Sequence, residues 1–151
     1  MDKLESLAQE GKINEEASVK DKQSIIVHAA VEDVWKKVIG IDQWSNWNQQ
    51  VSQTKVTAIE EGAVFTWTIN NDHFTSKITL LERPTTFSFV SRSSLLKMVT
   101  LFTLDEVGEQ QTAVIIEGSM QGLKTIFTHK HRKTHKSFLQ WLEDLQKALE
   151  R

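Results

Sequence analysis

A chain of 151 residues, 39% hydrophobic and 25% charged, has the make-up of one soluble globular domain and is long enough to bury a core without covalent staples. Eighteen Lys and Arg against twenty Asp and Glu leave a net charge of −2, which excludes a uniformly basic nucleic-acid binder. The absence of Cys excludes disulfides, thiolate zinc sites and cysteine nucleophiles. The apolar runs are far shorter than the roughly 20 residues that span a membrane, so no integral membrane segment is expected. The N-terminal MDKLESLAQEGK is too charged for a secretory signal, and the default compartment is the cytoplasm.

Residues 1–18 stand apart as a polar extension. Leu4, Leu7 and Ala8 recur at helical spacing there, which suits a short amphipathic helix or a frayed tail. From Val19 the pattern changes, and the β-branched Ser24-Ile25-Ile26-Val27 ends a strand. Ala29 to Ile39 reads as a helix with Val31, Val34, Trp35 and Val38 on one face, stopped by Gly40. A second helical turn over Asp42 to Trp47 takes Asp42 as its N-cap. Strands follow over Val51–Ile59, Val64–Asn70, His73–Glu82, Thr86–Arg92, Leu95–Leu104 and Thr112–Met120. Their links are short, as in Asn70-Asn71-Asp72, where Asn and Asp tolerate left-handed backbone. Such links make an antiparallel meander. Gly122 then opens a long helix, in which Leu123, Phe127, His131, Thr134, Phe138, Trp141, Leu142, Leu145 and Leu149 recur at steps of three and four. The fold class is α+β, with about seven strands, two short helices after the first strand and one long C-terminal helix. Residues 19–151 form a single domain.

The sheet must cover its aromatic face, and only the last helix is long enough to do so. By alternation the covered face holds Phe65, Trp67, Ile69, Phe74, Ser76, Ile78, Leu80, Phe87 and Phe89. It continues with Leu96, Met98, Thr100, Phe102, Leu104, Val114, Ile116, Gly118 and Met120. Leu95–Leu104 is apolar on both faces, so its register is the least determined. A curved sheet gripping one helix leaves a hollow between them, or else the rings fill it.

Two motifs in succession carry a family resemblance. The run Ile25-Ile26-Val27-His28-Ala29-Ala30-Val31-Glu32-Asp33-Val34-Trp35 resembles the strand-to-helix signature of the SRPBCC (START-like, polyketide cyclase/dehydrase and lipid-transport) superfamily. The following Ile41-Asp42-Gln43-Trp44-Ser45-Asn46-Trp47-Asn48 is similar to its Asp-x-x-x-x-Trp segment. The likeness runs over residues 19–149 and departs at Ala30, where the family has Pro. It implies a helix-grip fold, a curved sheet wrapped around the C-terminal helix, with a cavity for apolar ligands. Members include carriers, cyclases and co-chaperones, so function stays open.

The inward rings and thioethers suit a flat or lipid-like guest. The candidate ligand-binding set is Trp47, Phe65, Trp67, Phe74, Phe89, Met98, Phe102, Met120, Phe127 and His131. Of the two neighbouring tryptophans, Trp44 is the plug at the end of the barrel and Trp47 the cavity wall. The Trp67 N–H needs an acceptor once buried. His131 and His135 share a helix face but make only half a zinc site, and His73 and Glu117 point away from it, so neither metal nor cofactor is expected. Lys124, Lys130, Arg132, Lys133 and Lys136 make the first half of the long helix basic, as a solvated face or an anion-facing one. No phosphate loop, nucleophile elbow or HExxH is present. His131, with Ser76 and Thr100 beside it, is the one titratable group in reach of a guest. The expected function is binding of a small apolar molecule without catalysis. The alternatives are a polyketide cyclase/dehydrase-like enzyme using His131, and a protein-interaction module using an apolar patch on the outer face of the sheet.

Overall fold

The computed structural model describes residues 2–122 and 127–150, with 127–131 as backbone only. Seven strands form one antiparallel sheet in the order β1-β7-β6-β5-β4-β3-β2. They are β1 (Val19–Val27), β2 (Val51–Val56), β3 (Val64–Ile69), β4 (Asp72–Glu82), β5 (Thr86–Arg92), β6 (Leu96–Gly108) and β7 (Gln111–Gly122). The last six are a meander, and β1 returns to pair with β7. The connection from β1 to β2 therefore passes from one edge of the sheet to the other. It carries α2 (Val31–Ile39), a 3-10 turn at Ile41–Gln43, and α3 (Trp44–Trp47). The C-terminal helix α4 (Phe127–Leu149) has 23 residues and extends about 35 Å. This is the α+β arrangement the sequence predicts, a curved sheet gripping one long helix.

Local chemistry explains most boundaries. Asn70 and Asn71 both adopt positive φ, 49° and 74°, the backbone of a tight hairpin turn between β3 and β4. Val34, Trp35 and Val38 form the buried face of α2. Asp42, expected as an N-cap, sits inside the 3-10 turn, and its side chain accepts from Gln43 Nε2 rather than from a helix backbone N–H among the described residues. Gly122 does not open the helix, because β7 runs through it, paired with Leu96. A Cβ there would lie 2.1 Å from the Leu95 carbonyl oxygen, so glycine permits a close strand approach. Leu123 and Lys124 lie outside the described residues. On β4 the register shifts between Ile78 and Leu80. The bulge turns Leu81 toward the core opposite Phe87 and leaves Leu80 on the outer face beside Gly11, against the alternation expected for it.

The N-terminal segment is docked. Helix α1 (Lys3–Gln9) begins with a capping box: the Glu5 N–H donates to Asp2 Oδ1 at 2.9 Å and the Asp2 N–H donates to Glu5 Oε2 at 3.2 Å. Leu4, Ala8 and Ile13 form a small second core with Val90, Val99 and Leu101 on the outer face of β5 and β6. Ser88 Oγ donates to the Ala8 carbonyl at 2.7 Å, and Arg92 pairs with Asp2 and Glu5. Within β6, Leu96–Leu104 is thus apolar on both faces because each face is covered, one by α4 and the aromatic core, the other by α1, while Asp105, Glu106 and Val107 are exposed.

Two outcomes test this architecture. Gly122→Ala is expected to lower unfolding free energy by about 1–3 kcal/mol in urea titration, the usual penalty for forcing atoms into a packed site. Ala8→Glu places a charge between Leu4 and the sheet. It is expected to release α1 and raise hydrophobic-dye binding to the bared Val90, Val99 and Leu101, while near-ultraviolet dichroism of the main core is kept.

Candidate functional site

Helix α4 does not lie centrally over the sheet. It packs mainly on β1 and β7, because Gly118 on β7 offers no side chain and Phe138 descends onto it. A Cβ at Gly118 would lie 2.6 Å from Phe138 Cζ. Near its C-terminal end α4 is held by rings. Trp141 packs edge-on against Trp44 at 5.1 Å and Trp67 at 5.9 Å, and tilted on Phe102 at 5.8 Å. One and two turns earlier, beside Phe138, the half-buried positions Thr134 and Ser137 are short. Between them and the sheet lies a hollow of about 540 Å³.

The hollow has an apolar interior and a polar rim. Trp67, Phe74, Phe89, Met98, Ile116, Met120, Phe138 and Trp141 line it, with Thr100 among them. Gln49, Gln50, Asn70, Asp72, Lys133 and Lys136 stand at its mouth. The rim is tied together by hydrogen bonds. Gln50 Nε2 donates to the Ser137 carbonyl at 3.0 Å, and Gln50 Oε1 accepts from Asn70 Nδ2 at 3.0 Å. The buried Asp144 carboxylate accepts from the Gln49 N–H at 3.0 Å, Gln49 Nε2 at 3.1 Å and Gln140 Nε2 at 2.9 Å. These bonds fix the loop before β2 to α4 and hold the mouth's width. Within the wall, Trp67 Nε1 donates to Ser76 Oγ at 2.8 Å, and Ser76 Oγ bonds Ser91 Oγ at 2.6 Å. The indole N–H of Trp67 thereby finds its acceptor in the sheet itself.

Of the ten residues singled out from sequence, Trp67, Phe74, Phe89, Met98 and Met120 stand on the wall of the hollow. Phe65 and Phe102 do not border it. Both are fully buried, Phe65 against Trp44 at 5.8 Å and Phe89 at 5.4 Å, Phe102 against Phe87 at 6.2 Å and Trp141. Trp47 is not on the wall either, since it lies behind Trp141, edge-on at 6.2 Å. Trp44 is the plug, with no exposure and its Nε1 donating to the Val38 carbonyl at 3.0 Å. The side chains of Phe127 and His131 lie outside the described residues. His135 faces β1 instead, within hydrogen-bond reach of Gln23 Nε2 at 2.8 Å and 3.3 Å from Asp21 Oδ2. Among the described residues no group of His, Asp and Glu could hold a metal ion.

Sequence reasoning missed the rim. Asp144 follows Trp141 by three residues and precedes Leu145, so a carboxylate interrupts the apolar stripe of the helix. That interruption signals a buried partner. Gln49 and Gln50 carry no such signal, because consecutive amides before a strand read as ordinary loop.

Solved structures share this architecture at low identity. A START superfamily protein from Mycobacterium smegmatis superposes with a TM-score of 0.77 at 10% identity, over 87% of this chain and 97% of that one. The Zhui aromatase/cyclase from a Streptomyces species gives 0.76 at 10% identity, over 87% and 93%. A hypothetical protein from Helicobacter pylori gives 0.78 at 9% identity, over 91% of each chain. No curated protein matches the chain by sequence. The model of the polyketide cyclase/dehydrase and lipid-transport family matches residues 18–150, nearly the whole chain beyond the N-terminal helix, and the protein belongs to that family.

Proposed function

We propose that the protein binds a small, flat apolar molecule in the hollow between α4 and strands β3–β7, without transforming it. The observation that carries this reading is the hollow itself, about 540 Å³ walled by aromatic rings and two methionines under a polar rim. A space of that size holds a molecule of two to four fused rings or a folded acyl chain. Burial of the guest's apolar surface supplies the affinity, at roughly 25 cal/mol per Å² before ordering costs. Placing five Trp, and no Tyr, in this chain makes the site its own reporter.

The cyclase alternative needs an acid or base at the reacting atom. Titratable groups of the described lining, Asp72, Lys133 and Lys136, stand at the rim rather than among the rings. His131 therefore carries that alternative alone. The interaction-module alternative needs an apolar patch on the outer face of the sheet. Val90, Val99 and Leu101 would supply one, but α1 lies on them.

Titrating the purified protein with fatty acids and flat ring compounds is expected to give saturable quenching of Trp fluorescence by ring compounds. A flat, linear response across the panel overturns the reading. Trp67 separates wall from core. Trp67→Ala is expected to cost about 3 kcal/mol of stability, the low end for a buried ring, because part of the indole borders empty space. It is also expected to weaken ring-compound binding severalfold. A larger stability loss with unchanged binding returns Trp67 to the core.

A further inference from the structure

The first half of α4 is basic. Between Glu117 and Glu143 the sequence holds no acid, but it holds Lys124, Lys130, Arg132, Lys133 and Lys136. Two of these, Lys133 and Lys136, stand three apart on α4 and both border the mouth of the hollow. Both are exposed, and neither pairs with a carboxylate among the described residues. Thr134 and Ser137 are half-buried and border the hollow beside them, and their hydroxyls make no hydrogen bond among the described residues. The other polar groups of the mouth are committed. Gln50 is bonded to the Ser137 carbonyl and to Asn70, while Gln49 and Gln140 are bonded to Asp144. Asp72 is the one acid among the described lining residues, and it has a partner of its own.

The helix side of the mouth is therefore a strip of open donors. An ammonium group only donates, and a hydroxyl can donate. The wall behind the strip is rings and methionines, where a charge would lose its hydration and find no counterion. A charged end of a guest is thus confined to the mouth while its apolar body enters. At the mouth a negative end meets two cations, and a positive end is repelled by the same two. Water screens each pair, so the strip contributes orientation and choice of sign more than total affinity.

Resting on the cavity reading above, we propose that the hollow takes amphiphilic anions. The apolar body sits among Trp67, Phe89 and Met98, and the one anionic end is held at the mouth by Lys133 and Lys136, with the Thr134 and Ser137 hydroxyls beside it. A neutral ring compound fills the same space without a fixed direction.

Pyrenebutanol, pyrenebutyrate and pyrenebutylammonium share one ring body and linker and end in a neutral, a negative and a positive group. Titrated into the full chain at low salt and read by Trp quenching and calorimetry, pyrenebutyrate is expected to bind about three- to tenfold tighter than pyrenebutanol, the size of one or two exposed ion pairs. Pyrenebutylammonium is expected to bind weakest. Raising the salt to about 0.5 M is expected to bring the three together, because exposed charges are then screened. Lys133→Gln with Lys136→Gln is expected to bring butyrate and butanol within about twofold, and Lys133→Glu with Lys136→Glu to make the ammonium compound the tightest. Lys147→Gln, away from the hollow on the same helix, leaves the preference for butyrate in place. Equal binding of butyrate and butanol by the wild-type protein overturns the proposal and leaves the cavity reading standing. A preference that survives both double variants, or one that Lys147→Gln also abolishes, overturns it too, since the sign would then be read elsewhere. If none of the three compounds binds, the cavity reading falls and takes the selection with it.

Discussion

Everything in this molecule hangs on the packing around Trp44. Its ring lies 5.1 Å from Trp141, 5.4 Å from Trp67 and 5.8 Å from Phe65, each in an edge-on arrangement, and its N–H is bound to the carbonyl of Val38. One side chain therefore joins the α2–α3 corner, the far half of the sheet and the C-terminal helix. Edge-on pairs of this kind contribute about 0.5–1.5 kcal/mol each beyond the area they bury. The cluster also sets where packing stops. Past Trp141 toward the start of α4, Phe138 reaches Gly118 on β7 while the short Thr134 and Ser137 border the hollow. Dense packing around Trp141, with Phe138 on Gly118 and Gln50 on the Ser137 carbonyl, holds the helix while open space remains beside it.

How far the sequence could be read follows from what each pattern encodes. Alternation along β3 and β7 and the Asn-rich turn at Asn70 and Asn71 reflect local backbone rules, and these elements were legible. Gly122 was misread because glycine marks both helix boundaries and close strand approaches, and only the Leu95 carbonyl opposite it decides between them. Leu80 was misread because a bulge shifts the period without leaving a residue type behind. Phe65 and Phe102 share the period of Trp67 and Met98, so a face could be assigned from sequence, but distance along that face from the hollow could not. That distance depends on where α4 crosses, which Gly118 and Phe138 set from far apart in the chain.

The rim and the interior divide the labour of recognition. Gln50 and Asp144 spend their hydrogen bonds holding structural elements together, so they fix the shape of the entrance. The interior is nearly free of such commitments, and its few polar atoms are correspondingly informative. The fold itself is shared with the Mycobacterium and Streptomyces structures at only about one-tenth identity. Trp67 and Trp141 belong to both the anchoring cluster and the wall, whereas Phe74, Met98 and Met120 line the hollow without touching Trp44, so that part of the lining can vary while the grip on the helix is kept.

The docking of α1 has a consequence for how the molecule opens. Its cluster of Leu4, Ala8 and Ile13 on Val90, Val99 and Leu101 is separate from the main core, with the sheet as the partition between them. Two cores on opposite sides of one sheet need not come apart together. The outer one is small and tied by ion pairs that water screens, so its opening free energy lies well below that of the whole. Amides of α1 should then exchange with solvent through a partial opening, while those of β5 and β6, roofed on both faces, exchange only when the entire sheet is lost. The protein would therefore pass through a form that keeps its hollow intact but has bared the back of its sheet.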